Sequence, residues 1–198
     1  MPRATPLPAD ERRAALLAAT EPLLQRCGRA VSTRQIAESA GVAEGTIFRV
    51  FPTKEALIDA CLEEAFDIGP TCEALGRLAV GTDLEASVTA AVTLLQGHLR
   101  RVIALFHTVR FDPTSPEQVD DLKARQHRDN AALTAALAEV LRPFAGRLRR
   151  PPAEAAALLQ MVTFSLTHPM LGDGRVSTPE EITDLVLHGL AHPAEAPC

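Results

Sequence analysis

The chain has no tryptophan and no tyrosine, and its only phenyl side chains are seven phenylalanines. Ala and Leu dominate, and β-branched residues rarely run together. That composition argues against an extensive sheet and favours helix. Four cysteines (Cys27, Cys61, Cys72, Cys198) form no C-x-x-C pair and no zinc-ligand spacing. Neither a disulfide framework nor a structural metal is indicated, and free thiols in a reducing compartment are expected. No apolar run approaches the roughly 18 residues of a membrane span. The opening "MPRATPLPADERR" lacks the apolar stretch of a signal peptide, so a cytoplasmic chain with no membrane partner is expected. No G-x-S-x-G, P-loop, H-E-x-x-H or dinucleotide fingerprint occurs, so no catalytic residue and no cofactor is expected. His188 and His192 are four apart, but without a third ligand nearby the pair reads as incidental, and no metal is expected.

What is present is a soluble globular composition: 46% hydrophobic and 23% charged residues in 198. There is ample apolar material to bury, which excludes disorder throughout and allows one ordinary domain or two small ones. The formal net charge is −5, unevenly spread. Residues 1–55 hold eight Lys/Arg against six Asp/Glu; the rest hold twelve against nineteen. The basic balance therefore lies at the N-terminal end.

Helical periodicity and punctuation divide the chain into about nine helices with no convincing strand. A first helix is expected over about Ala9–Arg26, with Gly28 at its end and Pro22 either kinking or shortening it. Ser32-x-x-Gln35 has capping-box spacing and opens a second helix ending at Gly41. A third is expected from near Ala43 to before Pro52, and a fourth is capped by Thr53. Gly69-Pro70 and Gly81-Thr82 punctuate the chain beyond the fourth helix. Leu84–Phe111 predicts one long helix or two joined near Gly97. Further helices are expected from Pro116 to about Leu141, over Ala153–Thr167 and over Pro179–Ala191, with the basic loop "RPFAGRLRRPPAE" between the first two of these.

The stretch Ser32–Leu57 has the most internal order. Counting Thr33 as one, Ile36, Ala37, Ala40, Gly41, Val42, Ile47 and Val50 fall at positions four, five, eight, nine, ten, fifteen and eighteen. Ala37 is small where two helix backbones approach, and Gly41 can take the left-handed turn between them. Ile36, Ala40, Val42, Ile47 and Val50 supply an apolar seam. This is a helix-turn-helix pattern; the alternative is an ordinary helical hairpin.

The flanking "GVAEGTIFRVFPTKEAL" resembles the TetR/AcrR family of bacterial transcriptional regulators. Gly41, Val42, Gly45, Thr46, Ile47, Phe51, Thr53, Lys54 and Leu57 carry the likeness, which covers about residues 10–66, and "TPEEITDLVLHGLA" looks like the family's last helix. The resemblance implies an all-α fold with a three-helix DNA-binding head over 9–66. It also implies a larger helical bundle over 67–198 that binds a small-molecule effector and dimerises through its last two helices. The implied function is a regulator, in the usual case a repressor released from a palindromic double-stranded operator by that effector. Four positions depart from the family pattern. Phe48 replaces the usual Tyr, Val50 a His or Tyr, Ala43 a capping Ser, and Glu44 a basic or neutral residue. They remove groups that hold phosphates and so position a reading helix. A helical small-molecule-binding or scaffold protein with a weakened head is the alternative they keep open.

The candidate DNA contacts are Arg34, Gln35, Glu44, Gly45, Thr46, Phe48, Arg49 and Lys54. Thr46 and Arg49, three apart, share a helix face, and Arg49 suits either a guanine edge or a phosphate. Arg34 and Lys54 suit phosphates, and Gly45 permits close backbone approach. Glu44 suits either a cytosine amine or a solvated helix start. Phe48 and Val50 also fit as packing residues. For the effector the candidates are Phe106, His107, Arg110, Gln126, His127, Met161, Phe164, Ser165 and His168, with the alternative that the Phe and Met are core and that His107 and His127 are surface or satisfied core residues. Ala156, Leu159, Val162, Thr163 and Leu166 form one stripe, and Ile182, Leu185, Val186 and Gly189 another. Each is either dimer surface or intramolecular core.

Overall fold

Each helix end in the first third of the chain has a local cause. The computed structural model describes residues 8–78, 83–108, 116–171 and 175–189, with backbone alone at 107, 108, 116–119 and 122. Helix α1 (Ala9–Cys27) carries Asp10 and Glu11 in its first turn and stops at Gly28, whose φ is 55°. It runs unbroken through the exposed Pro22, which removes one helical hydrogen bond without shortening the helix. Helix α2 (Thr33–Ser39) has the full capping box: Gln35 N–H donates to Ser32 Oγ at 3.2 Å, and Ser32 N–H donates to Gln35 Oε1 at 2.9 Å. Gly41, at φ 66°, makes the turn. Helix α3 is Glu44–Ile47, shorter than expected, and continues as turn to Val50. Ala43 offers no side-chain cap and Gly45 disfavours helix, which accounts for the shortfall. In α4 (Lys54–Phe66), Thr53 Oγ1 accepts from Ala56 N–H at 3.0 Å.

These helices bury Leu16, Leu24, Val31, Ile36, Ile47, Leu57 and Ile58 in one cluster, with Ala40, Val42 and Val50 packed against it. The predicted seam is therefore core. Leu105, far along the chain, lies fully buried in the same cluster. Residues 8–67 and 102–108 accordingly form the first of two units. The observed boundary falls between Asp67 and Ile68.

The second unit contains α5 (Gly69–Leu78), α6 (Leu84–Thr108) up to Arg101, α7 (Pro116–Leu141), a 3-10 turn at Arg142–Arg147, α8 (Pro152–Thr167) and α9 (Pro179–His188). Gly69-Pro70 starts a helix instead of merely punctuating, since proline is tolerated in a first turn. Helix α6 is single, with Gly97 in its interior. Helix α9 opens on a second capping box, Thr178 with Glu181, and stops at Gly189 (φ 79°), short of the expected Ala191. Nine α-helices and no strand occur among the described residues, the ninth being α5, which the sequence did not mark, and not a second half of α6. None of these helices is long and apolar enough to cross a membrane. Gly81-Thr82, Arg110, Phe111, His192, Cys198 and most of the "DPTSPEQ" turn lie outside the described residues, as does the side chain of His107.

Leu75, Val88, Val92, Leu95, Leu137, Ala156, Leu159 and Ile182 form the second core. The stripe Ala156–Leu159–Thr163 of α8 is thereby intramolecular. A polar seam crosses this core: Gln96 Nε2 donates to Thr167 Oγ1 at 3.0 Å and to the Ser177 carbonyl at 2.9 Å. One turn away, the fully buried Thr163 Oγ1 has no partner among the described residues. An unsatisfied buried hydroxyl costs about 1–3 kcal/mol, and a methyl of the same shape removes that cost. Thr163→Val is therefore expected to raise the thermal midpoint by about 2–4 °C, measured by calorimetry. A fall would show that the hydroxyl is hydrogen-bonded in solution.

Candidate nucleic-acid interface

The helix-turn-helix buries one side of α3 and exposes the other. Ile47 is fully buried, whereas Arg34, Gln35, Glu44, Gly45, Phe48 and Arg49 are exposed and Thr46 is half-buried. The Arg49 side chain has no hydrogen-bond or ionic partner among the described residues, its backbone N–H donating to the Thr46 carbonyl at 3.3 Å. Phe48 is 50% exposed, so packing alone does not account for it. Val50 is partly buried against the core and packs as its seam position requires.

Three predicted contacts are already engaged. Thr33 Oγ1 donates to Glu44 Oε1 at 2.5 Å, tying the first turn of α2 to the start of α3. This partner answers part of the carboxylate's charge and holds it away from other uses. Gln35 Oε1 serves the capping box and leaves only the amide N–H2 for a partner. Lys54 Nζ donates to the carbonyls of Arg29 (3.0 Å) and Val31 (3.2 Å), closing off the 3-10 turn Gly28–Ala30. An ammonium has three donors, so one remains for a phosphate. The structure adds a residue that the sequence did not mark. The Arg13 guanidinium sits 4.6 Å from the ring centroid of Phe51, immediately after the α3 turn. No local pattern joins two positions so far apart in sequence.

Gly45 is informative for the opposite reason. Its φ is not positive, and a Cβ built there meets nothing within 4 Å. The head itself has no need of glycine at this exposed position.

Of the effector candidates, Gln126, His127, Met161, Phe164 and Ser165 are exposed on α7 and α8, and Phe106 is exposed in the first unit. His168 is half-buried, its ring 5.6 Å from that of Phe164. A cavity of about 430 Å³ in the second unit is lined by none of them. No group of three or more His, Cys, Asp or Glu suited to a metal occurs among the described residues.

A capped helix, a glycine turn and a short second helix, with the exposed Arg49 in the turn after it, form a helix-turn-helix unit. Residues 16–61 match the family model described as bacterial regulatory proteins, tetR family. The likeness of fold runs further. A transcriptional regulator of the TetR/AcrR family from Thermobifida fusca is 20% identical, with 92% of this chain and 100% of that one covered at a TM-score of 0.59. NalD of Pseudomonas aeruginosa, the secondary repressor of the MexAB-OprM multidrug efflux pump, is 21% identical, with 92% and 98% covered at 0.54. At such identities the structures share a fold with this chain, and the likeness to the tetR family rests on the head, residues 16–61.

Proposed function

We propose that the protein is a homodimeric transcriptional repressor that binds a near-palindromic operator and is released by a small-molecule effector held in its second unit. The observation that carries DNA binding is the exposed Arg49, its side chain unpartnered, beside Phe48 in the turn that follows α3, which Ile47 anchors in the core. Arg49 and Thr46 face the bases, while Arg34, Gln35, Lys54 and Arg13 hold phosphates. Phe48 supplies apolar contact in place of a phosphate bond. Repression is the mode of NalD, which shares the fold. Dimerisation uses the faces of α8 and α9 that the second core leaves uncovered. Two heads about 34–36 Å apart, or a multiple, then meet successive major grooves.

Selection of bound genomic fragments, with and without cell extract, tests this reading. A palindromic site is expected, bound with a log–log salt slope of roughly −0.9 per phosphate neutralised. No enrichment in either arm would instead favour a helical ligand-binding protein with a silent head, a reading to which the Thr33–Glu44 bond lends some support. Gly45 gives a second test. Gly45→Ala is expected to stabilise the head by about 0.5–1 kcal/mol through helix propensity. If the backbone there approaches DNA, the same change lowers operator affinity about tenfold in a gel-shift titration. Unchanged affinity would remove Gly45 from the interface.

A further inference from the structure

The second unit leaves a cavity of about 430 Å³ where the start of α6, the segment after α7, the first turns of α8 and the end of α9 meet. Its floor is apolar: Leu84, Val88 and Leu159 are buried, and Val186 is half-buried. Its rim is basic. Arg147, Arg149 and Arg150 stand together there, in a chain whose net charge is −5. Arg150 is engaged by Glu154 at 3.2 Å, whereas Arg147 and Arg149 have no partner among the described residues. The one acid in the lining is Glu85, and His188 is held by Asp184 at 2.9 Å.

The volume lies in the range of small-molecule sites, about 300–1,000 Å³. An inorganic anion would satisfy the guanidinium groups and leave the apolar floor wet. A neutral hydrocarbon would do the reverse. Only a solute with both parts uses the whole site. We propose that this cavity binds a small oxyanion carried on an apolar body, the oxyanion taken by Arg147 and Arg149 and the body laid against Leu84, Val88 and Leu159. Guanidinium forks match carboxylate and phosphate oxygens alike, so the shared chemistry is an amphipathic oxyanion. The binding stands apart from any DNA contact; its reading as the effector rests on the repressor proposal.

Calorimetry on the full chain without DNA tests it, using octanoate, octyl phosphate, octanol and inorganic phosphate as separate probes. At least one of the two amphiphiles is expected to saturate one site per chain. Octanol and inorganic phosphate are expected to bind at least about tenfold more weakly, since each lacks one half of the complement. Arg147→Ser with Arg149→Ser alters only exposed groups and is expected to cut amphiphile affinity about tenfold to a hundredfold at an unchanged thermal midpoint. Ala155→Phe, which fills the cavity from α8, is expected to abolish binding. The proposal is overturned if neither amphiphile gives a saturable heat, if inorganic phosphate or octanol binds as tightly, or if the double arginine variant binds unchanged.

Discussion

Arg49→Ala is expected to lower the operator affinity of the dimer on the order of a hundredfold while leaving the thermal midpoint unchanged. A bidentate contact from arginine to a base edge is worth about 1–3 kcal/mol, and a twofold dimer loses it twice. The side chain is exposed and has no partner among the described residues, so the fold loses nothing when it is cut back. Gel-shift titration against the selected operator and against unrelated DNA separates the two roles open to the residue. A base contact weakens the operator selectively and keeps the salt slope. A phosphate contact weakens both DNAs alike and lowers the slope by about one per head. Equal affinity of variant and parent for the operator would take Arg49 out of the interface and remove the main support for α3 as the reading helix.

Lys54 shows that charge and position alone do not tell how much of a side chain is left for DNA. Its sequence setting is as suggestive as that of Arg49, yet its ammonium is spent largely on the Arg29 and Val31 carbonyls. Glu44 is similar, with the Thr33 hydroxyl on its carboxylate. The net charge of the chain is therefore a poor guide to the head. Arg34, Arg49 and Phe48 face solvent there beside the exposed Glu38, while Glu44 on α3 accepts from the Thr33 hydroxyl.

Features with local causes are legible in the sequence. Both capping boxes depend on four consecutive residues, and the spacing of Ser32 and Gln35 marks the first at its observed place. Gly41 is marked as the turn because few residues other than glycine enter the left-handed region readily, and its φ is 66°. The seam of Ile36, Ala40, Val42, Ile47 and Val50 emerges from spacing alone; Ile36 and Ile47 are buried and the other three pack against the same cluster. What depends on distant partners is not legible. Nothing near Leu105 marks it for the core of the head, and nothing near Arg13 points to Phe51. Spacing overestimates the length of α3 because the apolar pattern persists through Val50 after the helical hydrogen bonds give way to turn. Helix α8 is ambiguous for another reason. It is apolar on two sides, and periodicity cannot say which of them meets the core.

That ambiguity leads to the second large effect. Phe164→Asp is expected to convert a dimer into a folded monomer of 21.2 kDa, as measured by sedimentation equilibrium. Ala156, Leu159, Thr163 and Thr167 account for the buried side of α8. Leu158, Met161 and Phe164 form a second stripe at three-residue spacing, 42%, 57% and 44% exposed, with Met170 and Leu171 exposed beyond the helix. Several large apolar groups left in water on one stripe mark a surface meant for a partner. In a twofold interface the same stripe meets its own copy, so one aspartate per chain puts two carboxylates into the seam. Burying them unpaired costs several kcal/mol, enough to raise the dimer dissociation constant about a thousandfold or more. The monomer is spared, since residue 164 faces solvent within it. Operator affinity is expected to fall with the dimer by roughly 10²–10⁴, because the second head loses its effective concentration. A variant that keeps the parent's mass would place the dimer elsewhere on the chain. A variant that becomes monomeric yet binds the full operator as tightly would show that the heads act singly.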